Sequence, residues 1–157
     1  MAATSGCPLR QRVEQDMKDA LRARDRRRLG TIRLVLAALK QREIDERIQL
    51  DDAQVIAVLD RMIKQRRDSV VQYEAAGRQD LADQESYEIG VIREYLPPAL
   101  GEVEIDSLIE EAIAATGAAG PREMGKVMGY LKPRMQGRAD LGAVSARVKV
   151  RLAACRT

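Results

Sequence analysis

Apolar residues recur along this chain at three- and four-residue spacing, and no useful length alternates with period two, so the pattern predicts an all-α protein. Pro8 through Ala23 reads as a first helix with Leu9, Val13, Met17, Ala20 and Leu21 on one face. Asp25 is placed to cap a second, whose stripe is Leu29, Ile32, Val35, Leu36 and Leu39, with Ile44 at its margin and Gly30 a weak spot near its start. Asp51 or Asp52 is placed as the next cap, and Asp51 with Gln54 has the spacing of a capping box. They open a third helix, with Val55, Val58, Leu59, Met62, Ile63, Val70 and Tyr73 on its apolar side and Gly77 as a natural stop. Asp80 starts a fourth that carries Leu81, Ile89, Ile92, Tyr95 and Leu96, with loose apolar spacing in its first turn. These four make an N-terminal helical bundle over residues 1–96.

Pro97-Pro98 ends that run, and residues 97–100 read as a stiff, extended hinge. Beyond it, Ile105, Leu108, Ile109, Ala112 and Ile113 mark a fifth helix that stops before Gly117. Gly120-Pro121 then opens a sixth. Met124, Val127, Met128 and Leu131 share its apolar face, and its end is expected near Lys132 because Pro133 disfavours continuation. Asp140 caps a seventh, with Val144, Val148 and Leu152 inward and Arg147, Lys149 and Arg151 largely outward. Residues 101–157 thus form a three-helix mini-bundle. Gly125 and Gly129 are its unusual feature, since each costs about 1 kcal/mol against alanine inside a helix. The expectation is that another helix, or the loop 133–137, packs closely on them, so that Gly125→Leu destabilises the tail. Gly137, Asp140, Pro97 and Pro98 are read as structural markers of the same region.

Composition adds the chemistry that is missing. The chain has no His, Phe or Trp and only four Tyr. Nothing titrates near neutrality without a strong perturbation, and aromatic platforms for stacking unpaired bases are scarce. Cys7 and Cys155 have no framework or metal spacing and are expected as free thiols. No apolar run reaches the roughly 18 residues of a membrane span, and the first sixteen residues lack a secretory apolar core. A cytoplasmic protein, with no membrane partner, is the expectation.

Net charge is +3 but unevenly spread. Residues 121–157 hold nine Lys/Arg against two acids, and residues 79–120 hold ten acids against Arg93 alone. Two readings stand open: a polyanion-facing end beside an acidic middle, or two segments that partly neutralise each other. Lys126, Lys132, Arg134 and Arg138 are the candidate RNA contacts. The run Arg22, Arg24, Arg26, Arg27 and Arg28 at the first helix junction is either solvated surface or a second RNA contact.

Gly120 to Lys126 spells G-x-x-x-x-G-K, but no strand precedes it, Val127 stands where a metal-binding hydroxyl belongs, and Pro121 removes a backbone donor. Nucleotide hydrolysis is excluded on those grounds. No Ser, Cys or Thr has an activating base. The cluster Glu102, Glu104, Asp106, Glu110 and Glu111 is explained by an acidic first turn more cheaply than by a cation. No catalytic residue, metal site or cofactor is assigned.

Four segments carry a resemblance: Ile92–Pro97 (IREYLP), Ala115–Ala118 (ATGA), Met124–Gly129 (MGKVMG) and Gly137–Asp140 (GRAD). With the helical N-terminal half, they resemble the small free-standing YqeY-like proteins over essentially the whole chain. Residues 101–157 resemble, more loosely, the tail of the B subunit of the tRNA-dependent amidotransferase. The resemblance implies a larger helical bundle followed by a three-helix tail. It also implies an accessory protein that binds tRNA or another structured RNA, with amidotransferase subunits or an aminoacyl-tRNA synthetase as possible protein partners. A helical interaction adaptor without RNA contact is the alternative. Carbon–nitrogen ligase activity with glutamine as amide donor comes last, because the subunit's catalytic cradle and an amidase Ser-Ser-Lys set have no counterpart here.

Overall fold

The computed structural model describes residues 7–154. Among these there are seven α-helices, one 3₁₀ turn and no strand. Cys155 and the first six residues, on which the readings of a second thiol and of the N-terminal leader partly rest, lie outside the described residues. The helices are α1 (Pro8–Arg22), α2 (Arg26–Glu46), α3 (Asp52–Ala75), α4 (Gln79–Arg93), α5 (Glu102–Thr116), α6 (Met124–Met135) and α7 (Leu141–Ala154). The chain divides into two compact units, Met1–Leu96 and Pro97–Thr157.

In the first unit, α3 and α4 form the most extensive pair, joined by a short turn in which Gly77 takes φ +70°. That left-handed conformation is easy only for a residue without Cβ. The Arg66–Glu88 ion pair, 2.8 Å, straddles the turn symmetrically, as an antiparallel hairpin requires. α1 and α2 close over it, and the core is built from Val13, Ile32, Val35, Leu39, Val55, Leu59 and Ile92, all fully buried. The caps are where the pattern placed them. Asp25 accepts from the Arg28 backbone N–H at 3.1 Å, and Asp51 and Gln54 form both halves of a capping box. α4 departs from expectation at its start. It begins at Gln79 without a side-chain cap, and Ala82 turns inward while Leu81 is only half-buried. Ile44 lies 60% exposed on the outer face of α2.

The second unit has its own core of Ile109, Ala112, Val127, Leu131, Met135, Val144, Val148 and Leu152. α5 ends at Gly117, φ +67°. Asp140 accepts from the Gly142 backbone N–H at 3.0 Å, capping α7. Two details of α6 differ from the expectation. Pro121–Glu123 form a 3₁₀ turn ahead of it, and it runs through Pro133 to Met135 rather than ending near Lys132. Pro133 removes one hydrogen bond near a helix end, where several carbonyls lack helical partners anyway. Continuing the turn buries the whole Met135 side chain, worth roughly 2 kcal/mol, and so outweighs that loss. Residues 97–100 are bonded into this unit: the Leu100 N–H donates to the Arg138 carbonyl at 2.8 Å, and Arg138 Nε donates to the Pro98 carbonyl at 3.1 Å.

Candidate nucleic-acid interface

α6 buries Val127, Leu131 and Met135 against α5 and α7, which leaves its opposite side to solvent. Two lines of residues border that side, the second drifting toward the edge of the buried stripe at Arg134. Gly125, Gly129 and Lys132 follow one another at four- and three-residue steps, and Lys126, Tyr130 and Arg134 at steps of four. Both glycines are exposed, and a Cβ built on either meets nothing within 4 Å. The expected close packing of another helix or of loop 133–137 on Gly125 and Gly129 is therefore overturned. The α6 face that packs is the methionine–valine–leucine face, and helical geometry puts the glycines opposite it. The two glycines bare the backbone to the outside instead.

The candidate cations are not equivalent. Lys126 is 66% exposed and lies 3.7 Å from Glu123, a contact too open to hold it. The Lys132 side chain is exposed and makes no hydrogen bond or ion pair among the described residues. Arg134 lies over the Tyr130 ring, its guanidinium carbon 3.7 Å from the centroid, and Nη1 donates to the Tyr130 carbonyl at 2.7 Å. The stacked guanidinium is thereby held in place with further N–H groups pointing outward. Arg138 is half-buried beyond the helix and is occupied by the Pro98 carbonyl. Lys132 and Arg134, two residues apart, project from opposite flanks of α6 with Lys126 between them on the exposed arc, and Arg138 is left as a tie within the unit. Tyr130 is the member that pattern reading passed over; its four-residue spacing from Lys126 and Arg134 was the signal.

Two arginines of α7 are neutralised locally. Arg147 binds Glu102 at 2.7 Å and also Asp106, and Arg151 pairs with Glu110, which is held below the usual carboxylate range by that hydrogen bond. Two of the basic residues of α7, expected to face largely outward, thus lean onto the acids of α5. The arginine run at the α1–α2 junction is likewise divided. Arg28 pairs with Glu94 at 2.8 Å, and Arg27 stacks on Tyr87 at 3.9 Å, whereas Arg22, Arg24 and Arg26 stay exposed. Cys7 is a free thiol whose Sγ donates to Asp52 at 2.7 Å; partial burial, then that carboxylate, raise its pKa. Among the described residues no group of three His, Cys, Asp or Glu is placed to hold a metal ion, and no helix is long and apolar enough to cross a membrane.

Fold and face together define an all-helical protein of two units, the second displaying a cationic helix with exposed glycines. The sequence profile of the YqeY-like proteins matches residues 10–152, and the chain belongs to that family. It is 29% identical over 141 residues to altered inheritance of mitochondria protein 41 of Pyrenophora tritici-repentis, covering 88% of this chain and 77% of that one. The proteins of the same designation from Kluyveromyces lactis and Vanderwaltozyma polyspora are 35% and 33% identical over 105 and 102 residues. Those alignments span 64% and 63% of this chain but only 56% and 55% of the yeast proteins. All three relatives are designated mitochondrial, which overturns the expectation of a cytoplasmic protein. That expectation rested on the lack of a secretory apolar core and on unpaired cysteines, and neither separates the cytosol from a reducing organelle reached by another route.

Proposed function

We propose that the protein is an accessory factor that binds tRNA, or an RNA of similar shape, through the outer face of α6. The observation that supports this most directly is the pairing of two solvent-facing glycines with Lys126, Lys132 and Arg134 around them. Without Cβ atoms, a sugar-phosphate backbone can approach the helix backbone itself, and the cations then lie beside its phosphates. Arg134 presents a planar fork suited to a phosphate, and its Tyr130 platform is already taken by the arginine. Recognition is accordingly of backbone and shape rather than of bases. The resemblance of residues 101–157 to the amidotransferase tail supports tRNA as the RNA and tRNA-dependent amidation as its setting.

Three neutralised phosphates imply a slope of about −2 to −3 for log affinity against log salt. In a filter-binding titration with tRNA, Lys132→Ala with Arg134→Ala should weaken binding at least tenfold at low salt and flatten that slope by about 2. Lys149→Ala, off this face, should leave it unchanged. Equal affinity for the double variant would refute the assignment. The same bare Gly125-x-x-x-Gly129 spacing also suits a partner helix, the adaptor reading. Recovery of a protein partner after nuclease treatment, lost on Gly129→Leu and accompanied by no tRNA binding, would establish that reading instead.

A further inference from the structure

We propose that the outer face of α2 is a docking site for an acidic amphipathic helix of another protein. α2 is apolar on two sides. Leu29, Ile32, Val35 and Leu39 fill the core, while Gly30, Leu34, Ala37, Gln41 and Ile44 follow at alternating four- and three-residue steps on the outside. That is the spacing of a coiled-coil seam. Its large members are open to solvent, Leu34 at 46% and Ile44 at 60%, and nothing lies within 4 Å of a Cβ built on Gly30. The seam opens at its N-terminal end into a groove lined by Leu21, Arg24, Leu29 and Gly30.

Charge identifies the occupant. Arg26, Arg33 and Lys40 stand seven residues apart along one flank of the seam, and Arg47 continues the row at the helix C-cap. All are exposed, and none of the four makes an ion pair or side-chain hydrogen bond among the described residues. Basic residues repeated at this flanking position select a partner helix with acids opposite them. A second copy of this chain fits poorly. Antiparallel pairing sets basic row against basic row, and parallel pairing leaves Arg33 facing Ala38 and Arg26 facing the buried Thr31, with Lys40 alone meeting an acid, Asp45. RNA fits poorly as well, because phosphates would cover Leu34 and Ile44 without gaining anything from them.

The test uses the full chain and a three-heptad synthetic peptide with Leu at the seam and Glu on both flanks, beside a Lys-flanked version. Titration by fluorescence anisotropy should show the Glu peptide binding and the Lys peptide not. Arg33→Glu with Lys40→Glu should weaken the Glu peptide at least tenfold and admit the Lys peptide. Leu34→Ser with Ile44→Ser should abolish binding of the Glu peptide, with far-ultraviolet ellipticity unchanged because these side chains are exposed. Failure of the Glu peptide to bind, equal binding of both peptides, or insensitivity to the substitutions would overturn the proposal. So would a concentration-dependent dimer in sedimentation, or a loss of tRNA binding with the charge reversal in place of peptide binding. The peptide readout involves α2 alone, so its failure leaves the α6 reading untouched.

Discussion

The Tyr95 hydroxyl donates to Asp16 Oδ2 at 2.6 Å from a ring that is almost fully buried, and Arg28 and Arg12 approach the same pair. Burial first, and then the hydrogen bond to the Asp16 carboxylate, push the phenol pKa far above its ordinary 10.0. The unfolded chain releases this proton near pH 10 while the folded one keeps it. The stabilisation is thus complete below that pH and is lost as pH rises toward the folded pKa. Urea denaturation across an alkaline series should show wild-type stability falling above about pH 10. Tyr95→Phe should flatten that component, at a loss of about 1.5–2 kcal/mol at neutral pH from the broken charge-assisted bond. Gly129 gives a prediction of the opposite sign. Its helical position has open space where a Cβ would go, so Gly129→Ala should raise stability by about 0.5–1 kcal/mol in thermal or chemical denaturation. Any loss of tRNA affinity in that variant then reports on approach from outside, since the fold has become firmer. Gly125→Leu, expected from sequence to break the tail, is for the same reason no core substitution.

Helix starts show how far local rules reach. Asp25, Asp51 and Asp140 were all legible as caps, because a short acceptor side chain before an apolar-periodic run has one cheap use. Asp51→Ala removes an acceptor for the Gln54 N–H and half of a reciprocal pair, and should cost about 1 kcal/mol with no change in the cooperativity of unfolding. The start of α4 and the end of α6 were less legible. α4 lacks a side-chain cap and is set by its packing on α3, while α6 passes Pro133 because Met135 gains a buried site. Local propensity is worth tenths of a kcal/mol to about one per residue, and a buried side chain more, so packing decides wherever the two disagree.

Each of the two units has a separate apolar core. The second is small, and a domain of that size keeps little margin between burial and chain entropy. Leu131 is fully buried at its centre, so Leu131→Ala should cost about 2–5 kcal/mol. Hydrogen exchange should then show lost amide protection throughout α5, α6 and α7. Charge at this scale answers a question that composition left open. The basic C-terminal segment and the acidic stretch before it partly neutralise each other through Arg147 and Arg151, while the cations of α6 stay exposed, as do Arg122 and Lys149.

Helix number, order, most caps and the buried faces were determined by the sequence itself, because each depends on spacing within a few residues of one chain segment. The break at Pro97-Pro98 belongs with them, since proline acts on its immediate neighbours. Which face of α6 meets the core was also readable, from Val127 and Leu131. What the opposite face does was not. Whether a glycine makes room for a neighbour or bares a backbone depends on atoms that arrive from elsewhere in the chain. So does the fate of each cation: Arg138, Arg147 and Arg151 find partners distant in sequence, while the Lys132 side chain finds none among the described residues. Spacing records a residue's own helix, and only the folded arrangement records what comes to meet it.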